Sequence, residues 1–172
     1  MIIRPINSSE TTAVCELLVS AYVFGGHLSA ESPYTRELLD VGSRMKYTWV
    51  AEADGDIVGT ICLCPPDGTS PAMLCRENEY EFRFLATSPG SWGRGVAKAL
   101  VAECEAQAIT HGAERMVISV IDLNERALQF YALQGYSHMP ERDWSPVITP
   151  NSNNDSAAST VPVRLLSLTK EL

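Results

Sequence analysis

Leu85-Ala-Thr-Ser-Pro-Gly-Ser-Trp-Gly-Arg-Gly-Val-Ala-Lys-Ala-Leu100 is the stretch from which the rest of the chain can be read. It begins inside Glu79–Thr87, a run with strand character, and leads into a helical pattern from Arg94 to about His111. Val96, Leu100, Val101, Cys104 and Ala108 fall on one stripe of that helix. A strand, a loop with alternate glycines and a helix thus follow one another directly. Gly93 and Gly95 let the backbone approach a ligand closely, and the first N–H groups of the helix, within Gly93 to Lys98, have no partner inside it. With the positive end of the helix dipole they make a cradle suited to a pyrophosphate, and Arg94 and Lys98 add formal charge. The dinucleotide fingerprint would need Gly where Lys98 stands, and no Gly-Lys-Ser/Thr of a P-loop occurs. A glycine loop that only tightens a strand–helix turn is the competing reading.

A second stretch, Asn124-Glu-Arg-Ala-Leu-Gln-Phe-Tyr-Ala-Leu-Gln-Gly-Tyr136, comes directly after the buried-type strand Met116–Ile121. Asn124 suits a helix N-cap, and Tyr131 lies two turns further on the same face. Taken alone, Tyr131 reads equally as a core aromatic beside Leu128 and Phe130.

Around these two pieces the elements come in mixed order. Ile2–Arg4 is a short strand, and Glu10 to about Tyr22 is a helix carrying Val14, Leu17, Leu18 and Tyr22, with Ser8 and Ser9 as cap candidates. Gly25-Gly26 ends it, and a second helix runs from Ser32-Pro33 to about Gly42. Tyr47–Glu52 and Ile57–Leu63 flank Asp54-Gly55, the strongest hairpin signal in the chain. A Pro/Gly/Ser loop over 65–71 precedes Glu79–Thr87. Asn124–Leu133 is a helix stopped by Gly135, and Tyr136–His138 begins another strand. Residues 149–160 contain almost nothing that can be buried and read as a mobile tip, because the β-branched, alternating Val161-Pro-Val-Arg-Leu-Leu-Ser-Leu follows. The whole of 1–172 is expected to form one domain with a mixed α/β sheet.

The 172 residues carry 13 Lys+Arg against 21 Asp+Glu, a net charge of −8, with 45% apolar residues. That composition builds a core and argues against disorder. The negative balance argues against a nucleic-acid partner, which needs a basic face. No apolar run approaches the roughly 20 residues needed to span a bilayer, and the N-terminus has no secretory pattern. Cys15, Cys62, Cys64, Cys75 and Cys104 form no CxxC pair, and the three His show no ligand spacing, so no metal site is expected. A reducing, cytoplasmic setting follows from the cysteine usage.

Together, and in this order, the two stretches resemble the GNAT (GCN5-related) N-acetyltransferases. The first resembles that family's Leu-Ala-Val-x-Pro-x-x-Arg/Gln-Gly-x-Gly-x-Gly/Ala loop, the second its Asn-x-x-Ala-x-x-x-Tyr-x-x-x-Gly-Phe/Tyr helix. Val50-Ala-Glu-x-Asp-Gly-x-Ile-Val-Gly59 and Glu81-x-x-x-Leu85 match more weakly. The resemblance implies a mostly antiparallel mixed sheet flanked by helices, and transfer of acetyl from acetyl-CoA to an amine. By it, the backbone of Leu85, Ala86 and Thr87 binds the pantetheine and acetyl group. Gly93, Arg94, Gly95, Val96, Ala97 and Lys98 hold the pyrophosphate, and Asn124 holds the far arm of the donor or a water. Tyr131 is the implied general acid, a phenol with pKa near ~10 able to protonate a departing thiolate. Glu81 occupies the position of the implied base, with Glu79 and His138 as backups, and a solvent-facing strand residue is its bland alternative.

The chain departs from the pattern at Trp92, where the family carries Arg or Gln, and more mildly at Thr87 for Val. The backbone cradle needs no side chain, but one phosphate contact is lost. Arg94 or Arg126 is available to replace it, or Trp92 stacks on the adenine. The acceptor side is implied to lie among Val23–Tyr34, Pro65–Glu77 and Met139–Thr160, whose acidic residues suit a small-molecule or peptide amine. Homodimers are common in the family. No covalent relay is evident, since Cys104 lies on the core stripe and Cys62 and Cys64 in a strand without a His base. The rivals are a non-catalytic acyl-CoA-binding sensor on the same fold and a nucleotide-binding α/β domain, the latter disfavoured by Lys98 and the lack of a ribose-binding acid.

Overall fold

The hairpin read from Asp54-Gly55 forms because both residues adopt the left-handed region, at φ 55° and 88°, which matches the twist of the flanking strands. It joins β2 (Thr48–Ala53) to β3 (Asp56–Cys64). The computed structural model describes residues 1–24, 33–145 and 163–172. Strand β1 (Ile2–Pro5) adds to β2, and β4 (Glu79–Thr87) adds to β3, both antiparallel. Strand β5 (Arg115–Ile121) lies parallel to β4, and β7 (Leu165–Glu171) runs antiparallel along its whole length. The two-residue β6 (Ser137–His138) closes the order β1-β2-β3-β4-β5-β7-β6. The expected mostly antiparallel mixed sheet is what forms.

Helix α1 (Thr11–Phe24) and α2 (Pro33–Leu39) cover one face, where Val14, Leu18 and Leu38 meet Cys62, Cys64, Phe84 and Ala86. The N-cap before α1 is Asn7 rather than Ser8 or Ser9, and its backbone N–H donates to Glu10 Oε2 at 2.8 Å. Helix α3 (Val96–Thr110) covers the other face, and the stripe Val96, Leu100, Val101, Cys104 and Ala108 is buried as read. Tyr131 of α4 (Glu125–Leu133) joins that second core. Gly59 is what lets α3 lie so close to β3. A Cβ there would come within 2.8 Å of Val96 Cγ1 and 2.9 Å of Leu100 Cδ1.

One boundary differs from the sequence reading. Helix α3 begins at Val96, two residues later than Arg94, because Gly95 at φ 80° cannot be helical. Strand β7 pairs antiparallel with β6, as the reading of two strands on either side of 149–160 expects, and lies between β6 and β5. The expected break at Gly25-Gly26 and the expected mobile tip at 149–160 lie outside the described residues.

Strand β4 carries the departure that shapes the site. Cys62 pairs with Arg83 and Thr60 with Ala86, so Ile61 faces two residues, Phe84 and Leu85, across a bulge. Phe84 takes φ 56°, uncommon for a bulky residue. The bulge shifts the alternation of sides, so Phe82 packs into the core under α3 while Phe84 packs into the core under α1.

Candidate active site

Strands β4 and β5 pair only from Glu79/Arg115 to Glu81/Val117. Beyond that they separate, and the β5-facing edge of β4 from Phe82 to Thr87 is left unpaired among the described residues. Each strand hands over to a helix at this open end: β4 to α3 through the glycine loop, β5 to α4 through Asn124. The gap between the parted strands forms a cleft, with the unpaired edge of β4 on one wall and the N-termini of α3 and α4 at its mouth.

The loop is shaped by its backbone. Gly93 and Gly95 sit at φ 77° and 80°, and neither would bring a Cβ within 4 Å of any atom, so both face open space. Ser91, buried beneath them, donates through Oγ to the Ser88 carbonyl at 2.8 Å and fixes the turn. The first helical bond of α3 runs from Ala99 N–H to the Gly95 carbonyl. Among the described residues the N–H groups of Gly93, Gly95, Val96, Ala97 and Lys98 donate to nothing. Unspent donors gathered at a helix N-terminus are suited to an anion. The Val96 and Ala86 side chains are buried, so these two offer only backbone, whereas Arg94 and Lys98 are exposed. Leu85 and Thr87 are half-buried along the open edge of β4.

At the head of α4, Asn124 Oδ1 accepts from Ala127 N–H at 3.1 Å, which makes it the N-cap and leaves its amide NH2 for other partners. Two turns on, Tyr131 is buried among Phe82, Phe130 and Tyr136, at ring separations of 5.9, 5.1 and 5.7 Å. Its hydroxyl has no hydrogen-bond partner among the described residues, and no polar side-chain atom that is fully buried lacks one. The hydroxyl oxygen therefore reaches accessible space. Burial pushes its pKa above the usual phenol value, so it is protonated at neutral pH.

Glu81 is not the exposed strand residue of the bland reading. It is 1% exposed, and its Oε2 accepts the N–H groups of Met73 and Leu74, each at 2.7 Å. It thereby ties the loop after β3 to β4. Burial raises its pKa, against the pull of those two N–H groups and of Arg83 at 3.8 Å. Glu81 faces the α1 side of the sheet and Tyr131 the α3 side, and no contact between them is found. Glu79 is held by Arg142 at 2.6 Å and lies 3.5 Å from Arg115; burial alone would raise its pKa, but these cations lower it. A carboxylate so engaged is a poor proton acceptor. His138 bonds Asp143 at the surface, at 3.0 Å.

Several residues escaped the sequence reading. Arg44, 4% exposed, donates to the carbonyls of Glu37, Leu38 and Asp40 and lies over the Phe84 ring at 4.1 Å. Arg83 lies over the same ring at 4.6 Å, donates to the Pro71 carbonyl and pairs with Glu37 at 2.8 Å. The bulge makes this possible by putting consecutive residues on one face. Trp92, the departure from the motif, has Arg126 of α4 over its ring at 4.3 Å. All five cysteines are free thiols, and Cys62, Cys64 and Cys104 are buried as expected of core fillers. Among the described residues no cluster of His, Cys, Asp and Glu could hold a metal ion, and no helix is long and apolar enough to cross a membrane.

The model of the acetyltransferase (GNAT) family matches residues 11–136, most of the chain and both motifs. The chain belongs to that family and is by class an acyltransferase. Solved structures agree on the fold. A ribosomal-protein-alanine N-acetyltransferase of Brucella melitensis is 16% identical with TM-score 0.70, covering 100% of both chains. The PaiA N-acetyltransferase of Thermoplasma acidophilum, solved with coenzyme A, is 17% identical with TM-score 0.72 over 99% of this chain and 98% of that one. YncA of Salmonella typhimurium, solved with acetyl-CoA, is 16% identical with TM-score 0.68 over 100% of this chain and 94% of that one.

Proposed function

We propose that this protein transfers an acetyl group from acetyl-CoA to a primary amine by direct attack in a ternary complex. What supports the reading is the set of five unspent N–H donors at the glycine loop and the unpaired edge of β4, with Tyr131, whose hydroxyl has no partner among the described residues, packed on Phe82 where that edge begins. The backbone of Leu85, Ala86 and Thr87 accepts the amide-bearing pantetheine as an added strand. Residues Gly93 to Lys98 hold the pyrophosphate, and the spare amide of Asn124 serves the far arm or a water. The neutral amine forms the new C–N bond at the thioester carbonyl, and collapse of the adduct breaks the C–S bond. Tyr131 donates its proton to the departing thiolate, whose pKa is about 8.5, and the proton lost from the ammonium group leaves toward Glu81 or a water chain. The raised pKa of Glu81 suits a proton acceptor, although its burial requires a path past the loop it anchors. The setting is cytoplasmic, in keeping with five free thiols. The whole chain acts as one domain.

The measurement that tests this is thiol release from acetyl-CoA against a panel of amines, with Tyr131→Phe in parallel. Release with at least one amine, falling at least about tenfold in Tyr131→Phe while acetyl-CoA still binds, supports the acid and the enzyme. Binding of acetyl-CoA without turnover on a broad panel supports the second reading, a non-catalytic acyl-CoA sensor, which Trp92 in place of Arg or Gln favours. Absence of acetyl-CoA binding overturns both.

A further inference from the structure

The Lys and Arg residues divide unevenly. Arg4, Lys46, Arg83, Arg115, Arg142, Arg164 and Lys170 pair with carboxylates, and Arg44 is held by carbonyls. Among the described residues Arg36, Arg76, Arg94, Lys98 and Arg126 hold no such partner. Three of these five stand at the mouth of the cleft, two on the glycine loop and the first turn of α3, one on the first turn of α4. In a chain of net charge −8, unspent cations gathered around unspent N–H donors mark a place kept for an anion.

Arg126 differs from the other two in being held in place. Its guanidinium carbon lies 4.3 Å from the centre of the Trp92 ring. The ring restricts the guanidinium, and among the described residues none of its N–H groups is held in a hydrogen bond. An arginine at position 92 would instead repel Arg126. The indole at 92 and the cation at 126 therefore work as a unit.

We propose that Arg126, held over Trp92, supplies the side-chain phosphate contact of this enzyme, moved from the glycine loop to the first turn of α4; this rests on acetyl-CoA being the ligand of the cleft. The fork of the guanidinium grips a phosphate of the donor from the α4 side, opposite the α3 backbone N–H groups. Trp92 is the platform that positions it. Both the diphosphate and the 3′-phosphate of the donor offer this chemistry.

The test is equilibrium binding of acetyl-CoA and of 3′-dephospho-acetyl-CoA to the full-length protein. Arg126 is exposed and pairs with no carboxylate among the described residues, so Arg126→Ala is expected to keep the native unfolding transition while weakening acetyl-CoA about tenfold. Arg126→Lys should recover only part of that loss, since an ammonium keeps the charge but not the fork. Trp92→Ala should weaken binding about threefold, and only when Arg126 is present. The double variant Trp92→Arg/Arg126→Ala should regain affinity over Arg126→Ala by restoring an arginine on the loop. A loss in Arg126→Ala that persists with the dephospho donor assigns the contact to the diphosphate, and a loss that vanishes assigns it to the 3′-phosphate. Wild type that binds acetyl-CoA with Arg126→Ala within twofold of it overturns the Arg126 assignment alone. Wild type that fails to bind acetyl-CoA overturns the underlying function as well.

Discussion

In its first half, strand β4 lies along β5 as far as Glu81 and along β3 from Glu81 on, and its charges are all engaged: Glu79 by Arg142, Glu81 by two backbone N–H groups, Arg83 by Glu37. At its end the same strand has lost one neighbour, and the loop that follows holds donors and cations with no partner among the described residues. The pairing with β5 stops at Glu81, and the bulge at Phe84 follows three residues later. Charged residues alone therefore do not locate a site here. The first half of β4 has more of them, yet they serve as scaffold, binding α2 and the loop after β3 to the sheet. The second half is where donors are left unsatisfied, and the proposed donor site rests on that.

The contrast can be broken most severely at Arg44. Arg44→Met strands three carbonyls at the end of α2 and removes the cation from the Phe84 ring, and is expected to cost about 3 kcal/mol of stability in urea unfolding. A loss under about 1 kcal/mol would mean that α2 is held some other way. At the open end, Gly95→Ala meets no clash but forces a side chain into the left-handed region, at about 1–2 kcal/mol. It should also weaken acetyl-CoA measurably by titration, whereas Arg44→Met should leave the affinity of the folded fraction unchanged.

Two carboxylates sharpen the comparison through pH. Burial raises the pKa of Glu81, so its stabilising share is fully present below the unfolded value of about 4.5 and is lost as pH rises through the folded value. Unfolding free energies from pH 4 to 8 should thus decline less steeply with rising pH in Glu81→Gln than in wild type. An identical slope would show that the loop contacts fully offset burial. Glu10 has the opposite sign. The Arg4 guanidinium, together with the Asn7 N–H, holds its carboxyl down to about 2, so its contribution is present above about 4.5 and is lost as pH falls toward 2. Water screens this pair, and Glu10→Gln should remove at most about 1 kcal/mol from the acid limb.

Much of the site was legible because its signals are short-range. Alternate glycines after a strand, Asn before a helix and Asp-Gly between two β-branched runs each fix a few neighbouring dihedrals, and each formed where it was read. Helix α3 begins two residues later than the spacing predicts, because spacing shows where a stripe begins but not which glycine adopts positive φ. Glu81 read as either a base or an exposed strand residue. Nothing local reveals that Met73 and Leu74 fold back onto it.

By itself the sequence determined the element order, the cradle, the place of Tyr131 two turns beyond its cap, and membership of a family whose motifs are local patterns. Only the tertiary structure decided that β7 lies between β5 and β6, that the bulge sets Arg83 and Phe84 on one face, and that Arg126 meets Trp92. Backbone dihedrals answer to neighbours in sequence, so their signature survives in a short motif. Charge pairing and stacking answer to neighbours in space, and residues as far apart as Trp92 and Arg126 become neighbours only when β4 and β5 line up and then part.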